Sequence, residues 1–140
     1  PDQLGDNVAR LPYEWEWQHA ASWFPRQRRH ARYPWGEEWR DELANTQESG
    51  LHRTVAVGLY SNGAARCGAL DMAGNVFEWC LNEHEEPQSG MPGGRGRRSL
   101  RGGSWFVGLP FARAAFRGWN RPNNRSRNFG FRLCVAPPIE

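Results

Sequence analysis

The chain has 140 residues, of which 39% are hydrophobic, and it contains eight Trp and seven Phe. This length and composition are typical of one domain with an aromatic core, and they exclude a disordered tail. Within these residues, no apolar run approaches the roughly 18 residues that are needed to span a membrane. The net charge is only +3, and acidic stretches at 35–42 and 82–87 interrupt the arginine runs at 25–32 and 93–98, so nucleic acid binding is not expected.

The residue pattern predicts one helix and a few short strands. Pro12 suits a first helical turn, and the spacing of Tyr13 and Trp17 predicts a helix over residues 10–22. Sixteen glycines and ten prolines indicate modest regular structure elsewhere. Strands are predicted at 54–60, 76–81, 99–106 and 129–135, and a flexible surface loop is predicted at 82–98.

The three cysteines, Cys67, Cys80 and Cys134, are an odd number and show no CxxC spacing. This pattern argues against a disulfide framework and against a zinc knuckle. We therefore expect buried, reduced thiols.

Four stretches of the sequence carry a resemblance to a known family: "RLPYEWEWQHAA", "YPWGEEW", "ALDMAGNVFEWC" and the series "LRGGSW", "RAAFR" and "NRSRNFGFRL". In this order and approximate spacing they resemble the formylglycine-generating enzyme, or sulfatase-modifying factor, family over residues 10–136. The resemblance implies an α+β domain with that family's irregular C-type lectin-like fold, low regular secondary structure and short antiparallel strands. Members usually carry a further N-terminal portion. We therefore expect residues 1–140 to be the C-terminal part of one domain, covered by the remaining N-terminal part of the same protein.

The resemblance also bears on catalysis. Members that oxidise a substrate cysteine carry two copper-binding cysteines in the segment after "GGSW", where soft thiolates suit Cu(I). The matching positions here are Val107 and Ala112, and neither side chain can ligate a metal. No copper is expected, and the chain is expected not to be an enzyme.

A second branch of the family makes sulfoxides with non-haem iron, held by histidines that lie largely in another domain. The histidines of this chain are scattered, without HxxxH or facial-triad spacing: His19, His30, His52 and His84. The alternative function is therefore a metal-dependent oxidoreductase whose ligands lie outside this chain.

The segment "DMAGNVFEW" resembles one that wraps a structural Ca²⁺ in the family. The resemblance implies that the matching calcium ligands in this chain are Asp71, the backbone carbonyls of Gly74 and Val76, and Glu78. Such hard oxygen ligands suit calcium. The other interpretation is a turn in which the aspartate accepts backbone N–H groups and the glutamate pairs with an arginine. A second family site would use two residues of "ANTQES", Asn45 and Glu48.

The stretch 99–133 mixes large apolar residues with Arg and Asn. Its fixed phrases "GGSW", "ARAA" and "GFR" are similar to the last segment of variable proteins of diversity-generating retroelements, where the intervening positions form an exposed binding face. That resemblance assigns a ligand-binding surface to Phe106, Val107, Gly108, Leu109, Phe111, Phe116, Gly118, Trp119, Arg121, Ser126, Arg127 and Phe129. Aromatic anchors with a polar border are typical of protein recognition, so a protein ligand is expected. The alternative is that the apolar residues pack under the N-terminal portion.

Three hypotheses follow. The favoured one is a non-catalytic ligand-binding protein of the lectin-like fold, in the bacterial cytoplasm, with its diversified surface at 106–129. The second is the metal-dependent oxidoreductase. The third is a sensor domain fused to a larger signalling protein.

Overall fold

A computed structural model describes residues 4–88 and 94–139 of the chain. The fold is an α+β arrangement with one α-helix, short 3-10 turns and short strands, as the glycine and proline content predicts. In chain order the elements are β1 (Val8–Arg10), α1 (Glu14–Ser22), β2 (Trp23–Phe24), β3 (Arg29–His30), β4 (Phe77–Glu83), β5 (Arg98–Arg101), β6 (Gly118–Asn120), β7 (Phe129–Gly130) and β8 (Cys134–Ala136). Among the described residues, no helix is long and apolar enough to cross a membrane.

The predicted helix is confirmed and begins at Glu14. Its first turn is fixed because the Glu16 carboxylate accepts the backbone N–H of Tyr13 at 2.8 Å, and acidic residues there favour the positive end of the helix. Trp17 and Ala21, four residues apart, form the buried face. The helix therefore packs on the rest of the domain through one tryptophan.

The main sheet has the strand order β6-β5-β4-β7. The strand predicted at 76–81 is confirmed as β4, which lies in the centre of this sheet. β5 pairs with β4 and β6 in antiparallel fashion, whereas the two-residue β7 pairs with β4 in parallel. The predicted loop over 82–98 is shorter than expected, since its two ends belong to β4 and β5, and residues 89–93 of it lie outside the described residues.

The strand predicted at 54–60 is wrong, because this stretch forms turns. Gly58 has a φ of +82°, outside the β region, and its N–H donates to the carboxylate of Asp71 at 2.7 Å. The side-chain amide of Asn75 accepts the N–H of Val55 at 3.0 Å and donates to its carbonyl at 3.3 Å. Side chains therefore take the hydrogen bonds that a neighbouring strand would supply.

Small residues allow close packing behind the sheet. One buried cluster surrounds Trp17, Met72 and Cys80, and a second consists of alanines beside two tryptophans. Gly74 has a φ of +78°, and a Cβ built there would lie 2.5 Å from the carbonyl oxygen of Asn45. The turn predicted around "MAGN" therefore requires glycine at this position.

The cysteines are all free thiols, as expected, but their predicted burial is only partly correct. Cys80 is buried in the core, and burial raises the pKa of its thiol. Cys134 is half-buried, and Cys67 is exposed because it lies in the turn region rather than in the sheet.

An ion pair between a half-buried arginine and a buried glutamate joins the C-terminal segment to the sheet. Arg132 donates Nε and one terminal nitrogen to the carboxylate of Glu78 at 2.6 and 2.8 Å. The indole N–H of Trp17 donates to the same carboxylate at 2.6 Å. Both oxygens of this buried glutamate are thus satisfied by partners from two other parts of the chain.

Replacement of Glu78 by alanine should destabilise the fold strongly. It leaves the Arg132 guanidinium and the Trp17 N–H without their acceptor, which costs about 3 kcal/mol of unfolding free energy. Urea denaturation followed by tryptophan fluorescence measures this loss. Glu37→Ala is the control, because its pair with Arg29 is half-exposed and should leave the unfolding midpoint unchanged. Equal midpoints for both variants would contradict the prediction.

Candidate functional site

The segment assigned from the sequence as a binding surface lies at the periphery of the domain. None of its twelve predicted residues is buried. Six are exposed, namely Phe106, Phe111, Trp119, Arg121, Ser126 and Arg127, and six are partly exposed, namely Val107, Gly108, Leu109, Phe116, Gly118 and Phe129. Their accessibility allows ligand contact, and binding by these residues stays a prediction.

Part of this surface also packs on the main sheet, as the alternative interpretation expected. The ring of Phe129 lies edge-on to that of Trp79, with centroids 5.6 Å apart. Phe116 contacts both Phe111 and the buried Phe77, at 5.0 and 6.3 Å between centroids. These phenylalanines therefore anchor the segment, while the side chains of Phe106 and Trp119 are exposed.

The positions where copper-binding relatives carry cysteines differ in their surroundings. Ala112 is fully buried beside Ala44 and Ala73. Val107 is partly exposed, and its carbonyl accepts the N–H of Gln47 at 3.0 Å. One position therefore belongs to the core and the other to a loop, and neither offers a metal ligand.

A cleft of about 910 Å³ opens between the loop before β5 and the segment after β6. Trp119 of β6 forms one wall of the cleft. It lies beside the loop before β5 because β6 pairs with β5, with Trp119 opposite Ser99. The guanidinium of Arg97 lies 4.0 Å from the centroid of the Trp119 ring and also pairs with the carboxylate of Glu85. Two further guanidinium groups line the cleft, those of Arg95 and Arg121. The cleft thus combines three cations, one carboxylate and an indole face.

Asparagine side chains hold the loop that closes this cleft. The side-chain oxygen of Asn120 accepts the N–H of Arg121 at 2.9 Å and bonds the side-chain amide of Asn124. Asn128 donates to the buried hydroxyl of Ser104 at 3.1 Å, and its carbonyl accepts the N–H of Phe77 at 2.8 Å. These asparagines therefore fix the loop conformation.

A polar network around the buried carboxylate of Glu14 joins the helix to β4 and to the residue before β6. Arg117 reaches the buried carboxylate of Glu14 at 2.5 Å and the carbonyl of His84 at 2.8 Å. Asn82 accepts the N–H of Glu14 at 2.8 Å and donates to its carboxylate at 3.2 Å. Burial alone would raise the pKa of Glu14, but hydrogen bonds from Arg117, Ser99 and Asn82 outweigh it and hold that pKa below its ordinary value. This carboxylate is therefore charged at neutral pH and is part of the framework.

Three residues of the cleft were not predicted from the sequence, namely Glu85, Arg95 and Arg97. Residues 82–98 were predicted as a surface loop, because nothing in the local pattern indicates that the arginines near 93–98 face Trp119. The signal lies in the pairing of two distant strands, β5 and β6. Their proximity depends on tertiary structure.

The histidines do not form a metal site in the described part of the chain. The ring of His19 stacks on that of Trp23, and the ring of His30 contacts the rings of both His19 and Trp23. The centroids in these three pairs are 5.1 to 5.6 Å apart. Over residues 4–88 and 94–139, no group of three or more His, Cys, Asp or Glu side chains is placed to hold a metal ion. His84 lies elsewhere, near the cleft, and burial lowers its pKa.

The predicted calcium residues make the contacts of the alternative interpretation, a turn. The carboxylate of Asp71 accepts a backbone N–H from Gly58, and Glu78 pairs with Arg132. Because both Glu78 oxygens are already bonded, this side chain does not fit the role of calcium ligand in the present arrangement. Gly74 and Val76 lie in the connecting turn.

The residues assigned to the second calcium site are bonded within the protein. The Asn45 side chain donates to the carbonyl of Arg53 at 2.9 Å and accepts the hydroxyl of Ser49 at 2.8 Å. Glu48 accepts the hydroxyl of Thr46 and the N–H of Leu109. Calcium at either set of residues stays a prediction.

Calcium dependence has a direct test. If Glu78 stays paired with Arg132 and no ion binds here, excess EDTA should leave the thermal unfolding midpoint of the protein unchanged from its value in millimolar CaCl₂, because no ion would then contribute to folding. Differential scanning calorimetry under the two conditions measures this. A calcium-dependent rise of several degrees, absent in Asp71→Ala, would instead establish the ion.

Comparison with known proteins relates this geometry to a family. Residues 3–137 match the family model described as sulfatase-modifying factor enzyme 1-like domain. Hercynine oxygenase of Mycobacterium tuberculosis is 40% identical over 141 residues, which cover 90% of this chain and 32% of that protein. Formylglycine-generating enzyme of Streptomyces coelicolor is 35% identical over 150 residues, which cover 89% of this chain and 46% of that protein. The structure of Treponema denticola variable protein 1 is similar with a TM-score of 0.76 and 26% identity, over 94% of this chain and 49% of that one.

These findings confirm the resemblance to the formylglycine-generating enzyme family, the lectin-like fold and the likeness to a variable protein. The chain spans less than half the length of these relatives. The expectation that the chain is not an enzyme is wrong, since its curated relatives include hercynine oxygenases and a formylglycine-generating enzyme. That expectation rested on Val107 and Ala112, and missing thiolates argue only against copper, one of the two chemistries considered.

Proposed function

Because the chain belongs to the family of sulfatase-modifying factor enzyme 1-like domains, we propose that it is the substrate-binding part of a metal-dependent oxygenase of the hercynine oxygenase type. The observation that carries this proposal is the 40% identity to such an enzyme along 90% of the chain. The chain spans 32% of that protein, so the oxygenase reaction is proposed for these residues together with others.

The cleft beside Trp119 is the substrate site in this proposal. Hercynine is a histidine betaine, which carries a carboxylate, a quaternary ammonium group and an imidazole ring. The guanidinium groups of Arg95 and Arg121 suit the carboxylate, because arginine binds carboxylates through charge-assisted hydrogen bonds, whereas Arg97 is already paired with Glu85. The cleft therefore offers a counter-charge for one end of such a ligand.

The indole ring suits the cationic end of the ligand. Quaternary ammonium groups bind over aromatic faces, with tryptophan the strongest. The Arg97 guanidinium occupies such a position, 4.0 Å from the centroid of the Trp119 ring, and in this proposal the quaternary ammonium group takes its place. The carboxylate of Glu85, which neutralises that arginine, adds negative charge at the same wall. A betaine would thus find both of its charges matched within one cleft.

The metal ligands are proposed to lie outside the described residues, because no group of three suitable side chains is placed to hold a metal within them. Iron, when bound by the complete enzyme, would supply the oxygen chemistry. The role of this chain is to bind and orient the organic substrate. The Glu14 network serves that role by holding Arg117, the residue before the strand that carries Trp119.

The proposal is tested by replacing Trp119 with alanine in the natural full-length polypeptide. Loss of the aromatic face should raise the dissociation constant for hercynine about tenfold, as expected for a cation–π contact of about 1.4 kcal/mol. Isothermal titration calorimetry measures the constant. Trp15→Ala is the matched control, because this tryptophan is also exposed but lies outside the cleft. Failure of the unaltered polypeptide to bind hercynine, or equal affinity in both variants, would refute the proposal.

A diversified ligand-binding surface over 106–129 is the second candidate function. The structural likeness to Treponema denticola variable protein 1 favours it, and so does the accessibility of the twelve assigned residues. In this case a protein ligand contacts the exposed side chains, such as Phe106 and Trp119.

This second candidate makes a separate prediction. Sibling genes should differ at the assigned positions other than Trp119, since changes at adenines alone cannot convert an asparagine codon into a tryptophan codon. They should agree at the buried Ser104, Ala112 and Ala114, which hold the loop. Sequencing of related genes and of the flanking DNA, where a reverse transcriptase gene is expected, provides the measurement. Variation spread evenly over the segment would contradict it.

A further inference from the structure

The arginine run at 25–32 forms a hairpin that takes no part in the cleft. β2 and β3 pair in antiparallel fashion on either side of the turn. The backbone N–H of Arg28 donates to the carbonyl of Pro25 at 3.3 Å, which closes the turn. The hairpin thus holds the exposed side chains of Arg26 and Arg28 on a fixed backbone.

A groove of about 480 Å³ lies beside this turn, and we call it the hairpin groove. Its lining consists of four hairpin residues and one residue from the loop before β4, namely Phe24, Pro25, Arg26, Gln27 and Arg66. The guanidinium of Arg66 lies 4.5 Å from the centroid of the Phe24 ring. A guanidinium stacked on an aromatic ring keeps its N–H groups, which lie in its own plane, available for an oxyanion.

The positive charge of the hairpin groove is not balanced by the part of the chain that the structure describes. Three exposed guanidinium groups have neither a salt bridge nor a hydrogen bond within residues 4–88 and 94–139, those of Arg26, Arg28 and Arg66. Neither stretch that builds the groove, 23–34 or 60–70, contains an acidic residue. Glu37, the next acidic residue after the hairpin, pairs with Arg29. The groove therefore attracts an anion from outside these residues.

The backbone of the turn gives a second, independent reason to expect a ligand. Arg28 has a φ of +51°, in the left-handed region. Glycine adopts this conformation without steric cost, whereas a side chain makes it unfavourable, so hairpin turns of this kind favour glycine. Since the Arg28 guanidinium bonds nothing within the described residues, folding does not require arginine here. A role in binding an anion would explain it.

We propose that the hairpin groove binds the dianion of a phosphate monoester, either in a small molecule or on a phosphorylated residue of another protein. Such a group carries about −1.5 to −2 charges at pH 7, which matches the two guanidinium groups of the lining, those of Arg26 and Arg66. Its oxygens accept paired N–H groups from arginine. The side-chain amide of Gln27 adds a neutral donor.

The charges favour a monoester over nucleic acid. A phosphodiester carries only one negative charge per phosphate, and a long polyanion needs a continuous basic surface. Here the acidic stretch at 35–42 follows the hairpin directly. A single dianionic group is therefore the better match for three clustered arginines.

Isothermal titration calorimetry on the natural full-length polypeptide tests the proposal, with O-phosphoserine as the probe and serine as its uncharged counterpart, in about 0.15 M NaCl. The unaltered polypeptide should bind phosphoserine and not serine. Arg66→Gln should raise the dissociation constant about tenfold, as expected for the loss of a charge-assisted contact. Arg40→Gln is the matched control, because it removes the same charge from an exposed pair with Glu42 outside the groove.

Arg28→Gly separates binding from folding. Its thermal unfolding midpoint should equal or exceed that of the unaltered polypeptide, because glycine suits the positive φ, while its dissociation constant for phosphoserine should still rise. Inorganic phosphate distinguishes the two sources of the ligand. An affinity equal to that of phosphoserine indicates a small phosphorylated molecule, and a weaker affinity indicates a phosphorylated residue.

Three outcomes would overturn the proposal. One is an unaltered polypeptide that does not bind phosphoserine. Another is equal affinity in Arg66→Gln and Arg40→Gln. The third is a thymidine oligonucleotide that binds as tightly per phosphate as phosphoserine, which would identify a surface for nucleic acid. The hairpin groove shares no residue with the cleft beside Trp119, so phosphate binding and hercynine binding succeed or fail independently.

Discussion

The carboxylate of Glu78 is the point at which three parts of the domain meet. It lies on the central strand β4 and accepts Trp17 from the helix and Arg132 from the C-terminal segment. A buried carboxylate is costly unless its oxygens are fully bonded, so helix, sheet and C-terminal segment must assemble together. Arg132 adds a bond to the carbonyl of Leu70 at 2.8 Å, which draws the turn region into the same assembly.

The same contact determines which residues of the C-terminal segment face outward. Because Arg132 is held inward, strand alternation places Phe131 and Leu133 on the opposite side. The exposure of Phe131 and Leu133 is therefore a consequence of the ion pair between Arg132 and Glu78.

The sequence was sufficient for the parts of the fold that depend on local pattern or on recognised phrases. The helix at Glu14–Ser22 and the strand at Phe77–Glu83 follow from apolar spacing, and the lectin-like fold follows from the family phrases. A strand was wrongly predicted at 54–60, because the β-branched residues of this stretch suit a strand. The turn that forms instead is fixed by hydrogen bonds to Asp71 and Asn75, which lie more than ten residues away in the sequence. The cleft was partly predicted: Trp119 and Arg121 were assigned, whereas the residues before β5 reach the site only through strand pairing.

Two aromatic side chains with nearly equal exposure, Phe106 at 65% and Phe131 at 66%, show why exposure alone does not identify a functional surface. Phe106 lies in a segment rich in arginine and asparagine, whose hydrated side chains form a polar border around it. Phe131 lies instead in a row with two other exposed apolar residues, Leu133 and Val135. The neighbours of an apolar residue, and not its exposed fraction alone, therefore distinguish these two surfaces.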